Sequence, residues 1–257
     1  MQHVVITGGA DGIGRAVAAQ YAASGAQITL IDRDYERAIA ACEQIAAGGQ
    51  PSQAIIADLG EMAAIERCLH ELHQFPPIDL IVYSAGISTV GAFATSSFDR
   101  QRAVVDLNLR APLLLSAGLL QRQRIAKGGV FVFLASLSIF TGYPGASGYA
   151  ASKAGIAAYA RSLRVAVAKQ GLHVLVVAPG PTRTAHARRY SPDNRRERYR
   201  MPPEQVARQI MHAVDKRQHL LIPGFGNRCM AWLGSYLPGL AEWLMRKTIF
   251  ERLSPHS

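Results

Sequence analysis

Cysteine, charge and long apolar runs are all scarce in this sequence. Its 257 residues include three cysteines, Cys42, Cys68 and Cys229, far apart and without a CxxC pair. An odd, scattered set argues against a disulfide framework and against a zinc site. It suits a reducing compartment, so a cytoplasmic protein is expected. The eight histidines form no HExxH, so no metal is expected, and they read as solvated or structural. No stretch reaches 18 uncharged apolar residues, which leaves no spanning helix to expect. A Val-Val-Ile run starts within three residues of Met1, so no signal peptide is expected. Charged residues are only 18% against 49% hydrophobic, a balance that excludes a disordered chain.

The charge that is present is uneven. Residues 1–180 carry 14 basic and 12 acidic side chains, a balance of +2; residues 181–257 carry 14 and 6, a balance of +8. A basic last third could meet nucleic acid, an anionic membrane, an anionic substrate or only water. Among residues 183–200 only Tyr190 and Tyr199 interleave the arginines 183, 188, 189, 195, 196, 198 and 200. No nucleic-acid motif accompanies them, so no nucleic acid is expected.

Six short apolar runs punctuate the chain: Val4–Ile6, Ile28–Ile31, Ala54–Ile56, Leu80–Val82, Val130–Leu134 and Val174–Val177. They are β-branched and apolar on both faces, as strands of a parallel sheet covered on both sides must be. The stretches 12–25, 34–47, 60–74 and 148–170 are Ala-rich and long enough for crossover helices. The alternation predicts an α/β fold: one doubly wound parallel sheet, a Rossmann fold, with helices on both faces. A single domain over 1–257 is expected, split functionally into 1–180 and 181–257. Past Pro179-Gly180 the basic run reads as a long loop, or a loop with a short helix. A helix from Pro202-Pro203 to about Lys216 and a short strand over 219–222 follow. Residues 229–245 are apolar, hold both tryptophans and a single charge, Glu242, and are interrupted by Pro238-Gly239. They predict a C-terminal helical extension.

The first turn reads Thr7-Gly8-Gly9-Ala10-Asp11-Gly12-Ile13-Gly14, between a strand and a helix. Glycines there let the backbone approach a pyrophosphate at the positive end of the helix. Asp32, 20 residues after Gly12 at the end of the second strand, suits the ribose hydroxyls of NAD and would repel a 2′-phosphate. Arg33 beside it could pair with that phosphate, so NAD and NADP both stay open, with NAD favoured. Asp58 could accept a hydrogen bond from adenine or cap the following helix.

Tyr149 and Lys153 lie four apart in a predicted helix and so share a face. Ser136 ends the fifth strand, and Asn108 interrupts a helical stretch in which asparagine is a poor choice on propensity. Together TGxxxGxG at 7–14, Asn108, Ser136, YxxxK at 149–153 and Pro179-Gly180 followed by Thr184 resemble the single-domain short-chain dehydrogenases/reductases, over residues 2–223. The resemblance implies an oxidoreductase of secondary alcohols and ketones. Tyr149 would be the general acid/base and Lys153 would lower its pKa and hold the nicotinamide ribose. Ser136 would bind the carbonyl oxygen, Asn108 a relay water, and Thr184 the carboxamide. It also implies cofactor contacts at Gly8, Gly12, Ile13, Gly14, Asp32, Arg33, Asp58, Leu59, Ala85, Gly86, Tyr149, Lys153, Pro179, Gly180, Thr182 and Thr184. A homodimer or homotetramer, paired through the helices around 100–124 and 148–170, is implied likewise.

The physics of the Tyr–Lys pair points the same way. Bringing a tyrosine from about 10 to about 7 takes roughly 4 kcal/mol. One cation about 4 Å away supplies about 4 kcal/mol at an effective dielectric of about 20. The chain departs from the family at Tyr83-Ser84-Ala85-Gly86, where two asparagines are usual. Ser84 could replace one of their hydrogen bonds. Ser138 reads as a solvated strand-end serine, or as a second substrate hydroxyl. The substrate expected is apolar, of sterol, keto-lipid or long-chain acyl type, because the tail resembles an interfacial amphipathic element. That tail reads three ways: a lid on a lipophilic pocket, ordinary core or subunit interface, or a peripheral membrane contact through 229–250. The competing function is a non-catalytic nucleotide sensor that associates with a membrane or partner through the same tail.

Overall fold

Seven strands form one sheet in the order β3-β2-β1-β4-β5-β6-β7, every neighbouring pair parallel. The structure is a computed structural model and describes residues 1–91, 96–191, 194–195 and 197–251. Arg196 of the basic run, and the side chains of Ile249 and Phe250 in the tail, lie outside the described residues. The strands are β1 (His3–Thr7), β2 (Gln27–Asp32), β3 (Ser52–Ile56), β4 (Ile78–Tyr83), β5 (Ile125–Leu134), β6 (His173–Val177) and β7 (Leu220–Leu221). Side chains alternate between two buried faces. In β1, Val5 enters the core shared with α3 (Met62–Glu71), α5 (Ala111–Gln121) and α6 (Ser147–Val167). Val4 and Ile6 enter the opposite core, under α1 (Gly12–Ala23), α2 (Tyr35–Ala47) and α8 (Pro203–Asp215).

Strand order reverses between β1 and β4. The crossovers to either side diverge there, and a crevice opens beyond the carboxyl ends of the strands. Asp11 opens α1 as its N-cap, accepting from the Gly12 N–H at 2.7 Å.

Helix α4 (Phe98–Val105) runs into α5 through a π-turn at Asp106–Arg110. The cause is legible in the covalent chemistry. Residue 112 is proline, so no N–H is available to return to the Asn108 carbonyl as an α-turn would require. The span 98–121 is long and apolar enough, by length and composition, to cross a membrane. It carries Asp99, Arg100, Arg102, Asp106 and Arg110, however, and packs against α3 and α6 as a core helix.

The basic run is mostly loop, with a short helix α7 (Ala185–Tyr190) capped by the Thr184 hydroxyl, which accepts from the Ala187 N–H at 3.1 Å. The apolar tail folds as α9 (Phe225–Tyr236) and α10 (Pro238–Met245), broken where Pro238 opens the second helix.

Candidate active site

Eleven of the residues expected at the cofactor line a single crevice of about 280 Å³: Gly8, Ile13, Asp32, Arg33, Asp58, Leu59, Ala85, Gly86, Tyr149, Lys153 and Thr184. One end of it is acidic and lies at the tips of β2 and β3. The other end holds the tyrosine and lysine of α6.

The glycine turn passes tight against β4. Gly8 sits at φ +66°, and a β-carbon there would lie 2.7 Å from the Ala85 backbone. Gly14 packs against the Gly8 carbonyl, and Gly12, also at positive φ, faces the Thr184 side chain. Any side chain at Gly8 would wedge the turn off the sheet. A narrow backbone cradle at a helix N-terminus, with a carboxylate at the neighbouring strand end, fits a dinucleotide.

Asp32 is held from behind. Its carboxylate accepts the Ala10 N–H at 3.1 Å and the Asp34 N–H at 3.2 Å. Arg33 leans away to Asp58 at 3.4 Å, and both are exposed. Asp58 also accepts the Gly60 N–H at 2.9 Å, so it braces the loop before α3 rather than capping the helix, whose N-cap is Glu61. Asp11 stands on the same rim, 3.8 Å from Arg37, which partly offsets its charge where an anion would enter.

Asn108 lies beside the crevice. Its amide donates to the Ile87 carbonyl at 2.9 Å and to the Ser152 hydroxyl at 3.1 Å, and its oxygen accepts the Ile87 N–H at 2.9 Å. It therefore ties the loop after β4 to α6. A cavity of about 10 Å³, lined among others by Asn108, Pro112, Leu134 and Lys153, is about the size of one water.

Lys153 is buried, and its ammonium donates to the Leu134 carbonyl at 2.7 Å. Burial pulls its pKa down to about 8. The ammonium lies 5.7 Å from the centre of the Tyr149 ring. Tyr149 does not have the low pKa expected of it. Burial pushes it up to about 12, with Tyr143 adding to the rise and the Ser136 hydroxyl working against it. Desolvation is the largest of these effects.

Ser136 caps the turn after β5, accepting the Ser138 N–H at 3.2 Å. Ser138 is not the solvated serine its position suggests: its hydroxyl is buried, with no protein partner among the described residues. Pro179, Gly180 and Thr182 stand back from the crevice. The Pro179 carbonyl accepts the Leu137 N–H at 3.0 Å, Thr182 donates to the Gly180 carbonyl at 3.1 Å, and the Asn227 side chain packs on Gly180.

Two features escaped the sequence. His186, two residues past Thr184 on α7, lines the crevice, its ring centre 6.2 Å from that of Tyr149. Burial and the neighbouring Lys153 pull its pKa down to about 4, so it is neutral at neutral pH. No periodicity could have found it, because α7 is a single short helix in a loop. The second feature explains the missing asparagines. Tyr83 turns away from the crevice, stacks on Phe133 at 4.7 Å and accepts the Ser116 hydroxyl at 2.8 Å. The end of β4 is instead held by the Thr7 hydroxyl, which accepts the Ala85 N–H at 3.2 Å.

Comparison with known proteins agrees with this fold. The family profile described as short chain dehydrogenase matches residues 2–195. Dehydrogenase/reductase SDR family member 7B of Bos taurus is 30% identical, over 99% of this chain and 83% of that one. A short-chain dehydrogenase from Sphingobium yanoikuyae, solved in complex with NADPH, superposes with a TM-score of 0.81 at 26% identity, over 93% of this chain and 94% of that one. A short-chain dehydrogenase/reductase from Burkholderia phymatum, solved with NAD, shares the fold with a TM-score of 0.80 at 20% identity, over 90% and 92% of the two chains.

Proposed function

This chain belongs to the short-chain dehydrogenase/reductase family and is an NAD(P)-dependent oxidoreductase, and we propose that it acts on lipophilic secondary alcohols or ketones with NAD. The observation that carries the reaction type is the placing of Tyr149 and Lys153 at the inner end of the dinucleotide crevice. The bound cofactor supplies the hydride donor or acceptor. Tyr149 gives or takes the hydroxyl proton, and Ser136 holds the substrate oxygen. Lys153 holds the ribose and favours the tyrosinate. The water-sized cavity lined by Asn108 and Lys153 supports a relay water next to Lys153.

The preference for NAD is supported by Asp32, which lines the crevice at the end of β2 and would meet the ribose hydroxyls there, while Arg33 beside it is engaged with Asp58. A solved neighbour binds NADPH and another NAD, so neighbours alone do not choose. A lipophilic substrate is supported by the wall beyond Ser136. Gly234 of α9 seats on the Phe140 backbone, and α10 with residues 142–144 bounds a cavity of about 290 Å³ in which Tyr143, Pro144 and Met245 form the apolar part of a lining that also carries Glu242 and Arg246. Sterols, keto-lipids and long-chain acyl groups all fit that reading. A homodimer or homotetramer through α4–α5 and α6 is supported by Phe98, Val105 and Val165, large apolar side chains left exposed on those helices. Three free thiols support a cytoplasmic setting. A non-catalytic sensor is not favoured, since it has no use for the complete Asn108, Ser136, Tyr149 and Lys153 set.

The test is Tyr149→Phe against a panel of ketones with NADH. Turnover should fall by at least about 10³-fold, the upper part of the range for general acid–base loss, while nicotinamide fluorescence still reports cofactor binding. Full turnover in the variant would sink the mechanism.

A further inference from the structure

Helices α9 and α10 bury the wrong side chains for a water-facing element. A surface helix normally turns its large apolar residues inward. Here α9 buries Ala231 and Gly234, and α10 buries Ala241. The outward stripe of α9 runs Phe225, Cys229, Trp232, Tyr236, at spacings of four, three and four residues that place them on one face. Phe225 is 76% exposed, Trp232 59% and Tyr236 70%. Leu237 at the joint and Leu240 and Trp243 on α10 continue the exposed apolar surface. The small inward residues have a reason: a β-carbon at Gly234 would strike the Phe140 carbonyl, so only a flat face lets α9 lie so close. The outward aromatics have no such role.

We propose that this face docks on the surface of an anionic lipid bilayer. Tryptophan and tyrosine suit the headgroup level, where one end of the ring is apolar and the other wet. Cations frame the face: Arg228 stacks over the Phe225 ring at 5.9 Å, and Arg246 and Lys247 follow α10 and share one carboxylate, Glu251. The acids on these elements are Glu242 and Glu251, against three cations. The N-cap of α9 also lies close to the end of the basic run, since the side chain of Met201, the residue after Arg200, lies against Gly224. A second copy of the chain is a poorer occupant. A two-fold contact sets a patch against itself, which would bring Arg228, Arg246 and Lys247 of both copies together. Anionic lipid offers the opposite sign, about 1 kcal/mol for each cation near the surface.

The chain's only tryptophans are Trp232 and Trp243, so fluorescence excited selectively at tryptophan reports on this face alone. The whole protein would be mixed with vesicles of phosphatidylcholine, with or without phosphatidylserine. A blue shift and co-sedimentation are expected with phosphatidylserine, weakening as salt is raised. Co-sedimentation should drop about tenfold in Arg246→Gln/Lys247→Gln. It should drop at least about a hundredfold in Trp232→Glu/Trp243→Glu, whose fold would be checked by circular dichroism. Three results would overturn the proposal. One is no binding by the natural chain. Another is equal, salt-independent binding to phosphatidylcholine alone. The third is a self-association on size exclusion that the tryptophan variant abolishes without any lipid binding. The readout is binding rather than turnover, so it stands whether or not the substrate reading does.

Discussion

Replacing Lys153 by methionine asks how much of the tyrosine's acidity the lysine supplies. Burial holds Tyr149 up at about 12. Ionising it near pH 7 therefore takes about five units, or roughly 7 kcal/mol. The Lys153 ammonium is 5.7 Å from the ring centre. At that separation a unit charge contributes about 3 kcal/mol at an effective dielectric of about 20. A charge of that size is worth about two units on the tyrosine. Lys153→Met should slow alcohol oxidation about 100-fold at neutral pH and move the rising limb of the kcat against pH profile up by about two units. Part of the lost rate should return in alkali. The assay is NADH formation across the pH range, with circular dichroism to confirm the fold, because the Leu134 carbonyl loses its donor. A uniform loss with an unmoved midpoint would refute the electrostatic reasoning. It would leave the lysine as a binding group only, visible in the cofactor KM.

Two further outcomes test other parts of the site. Asp32→Ala should weaken NADH binding about tenfold or more while NADPH binding holds or improves, because a carboxylate that hydrogen-bonds ribose hydroxyls also repels a 2′-phosphate; nicotinamide fluorescence titration reads both, and equal losses for the two cofactors would place Asp32 in a purely structural role. His186 carries a pH signature: its folded pKa, about 4, lies below the ordinary 6.5. Between those values the unfolded chain binds the proton and the folded one does not, so stability falls as pH drops from about 6.5 to about 4, by at most about 3 kcal/mol. In His186→Phe that share of the acid loss should vanish, seen as a smaller Tm drop between pH 7 and pH 4.5 than in the natural chain.

Most of the sheet was legible because burial on both faces leaves an apolar run in β1, β4, β5 and β6, with His3, Asp79, Lys127 and His173 confined to the early part of each strand. Asn108 was legible as an anomaly; the π-turn that carries it follows from Pro112, four residues later. The amphipathic character of the tail is legible in the sequence, but the face that turns inward is not, because backbone proximity at Phe140, not side-chain size, decides it. Ser138 and Tyr83 were misjudged or left open for a similar reason: whether a side chain at a strand end meets water, crevice or core depends on what the neighbouring helices cover.

Taken alone, the sequence determined the parallel sheet, the glycine turn, and the shared face of Tyr149 and Lys153. These rest on local periods and on glycine's conformational range, which need no partner elsewhere in the chain. Tertiary structure alone decided the electrostatics and the surfaces. It set the rise of Tyr149 and the fall of Lys153, the engagement of Arg33 by Asp58, the entry of His186 into the crevice, and the outward turn of both tryptophans. Desolvation and through-space charge depend on what surrounds a group in three dimensions, and that is written in no single stretch of the chain.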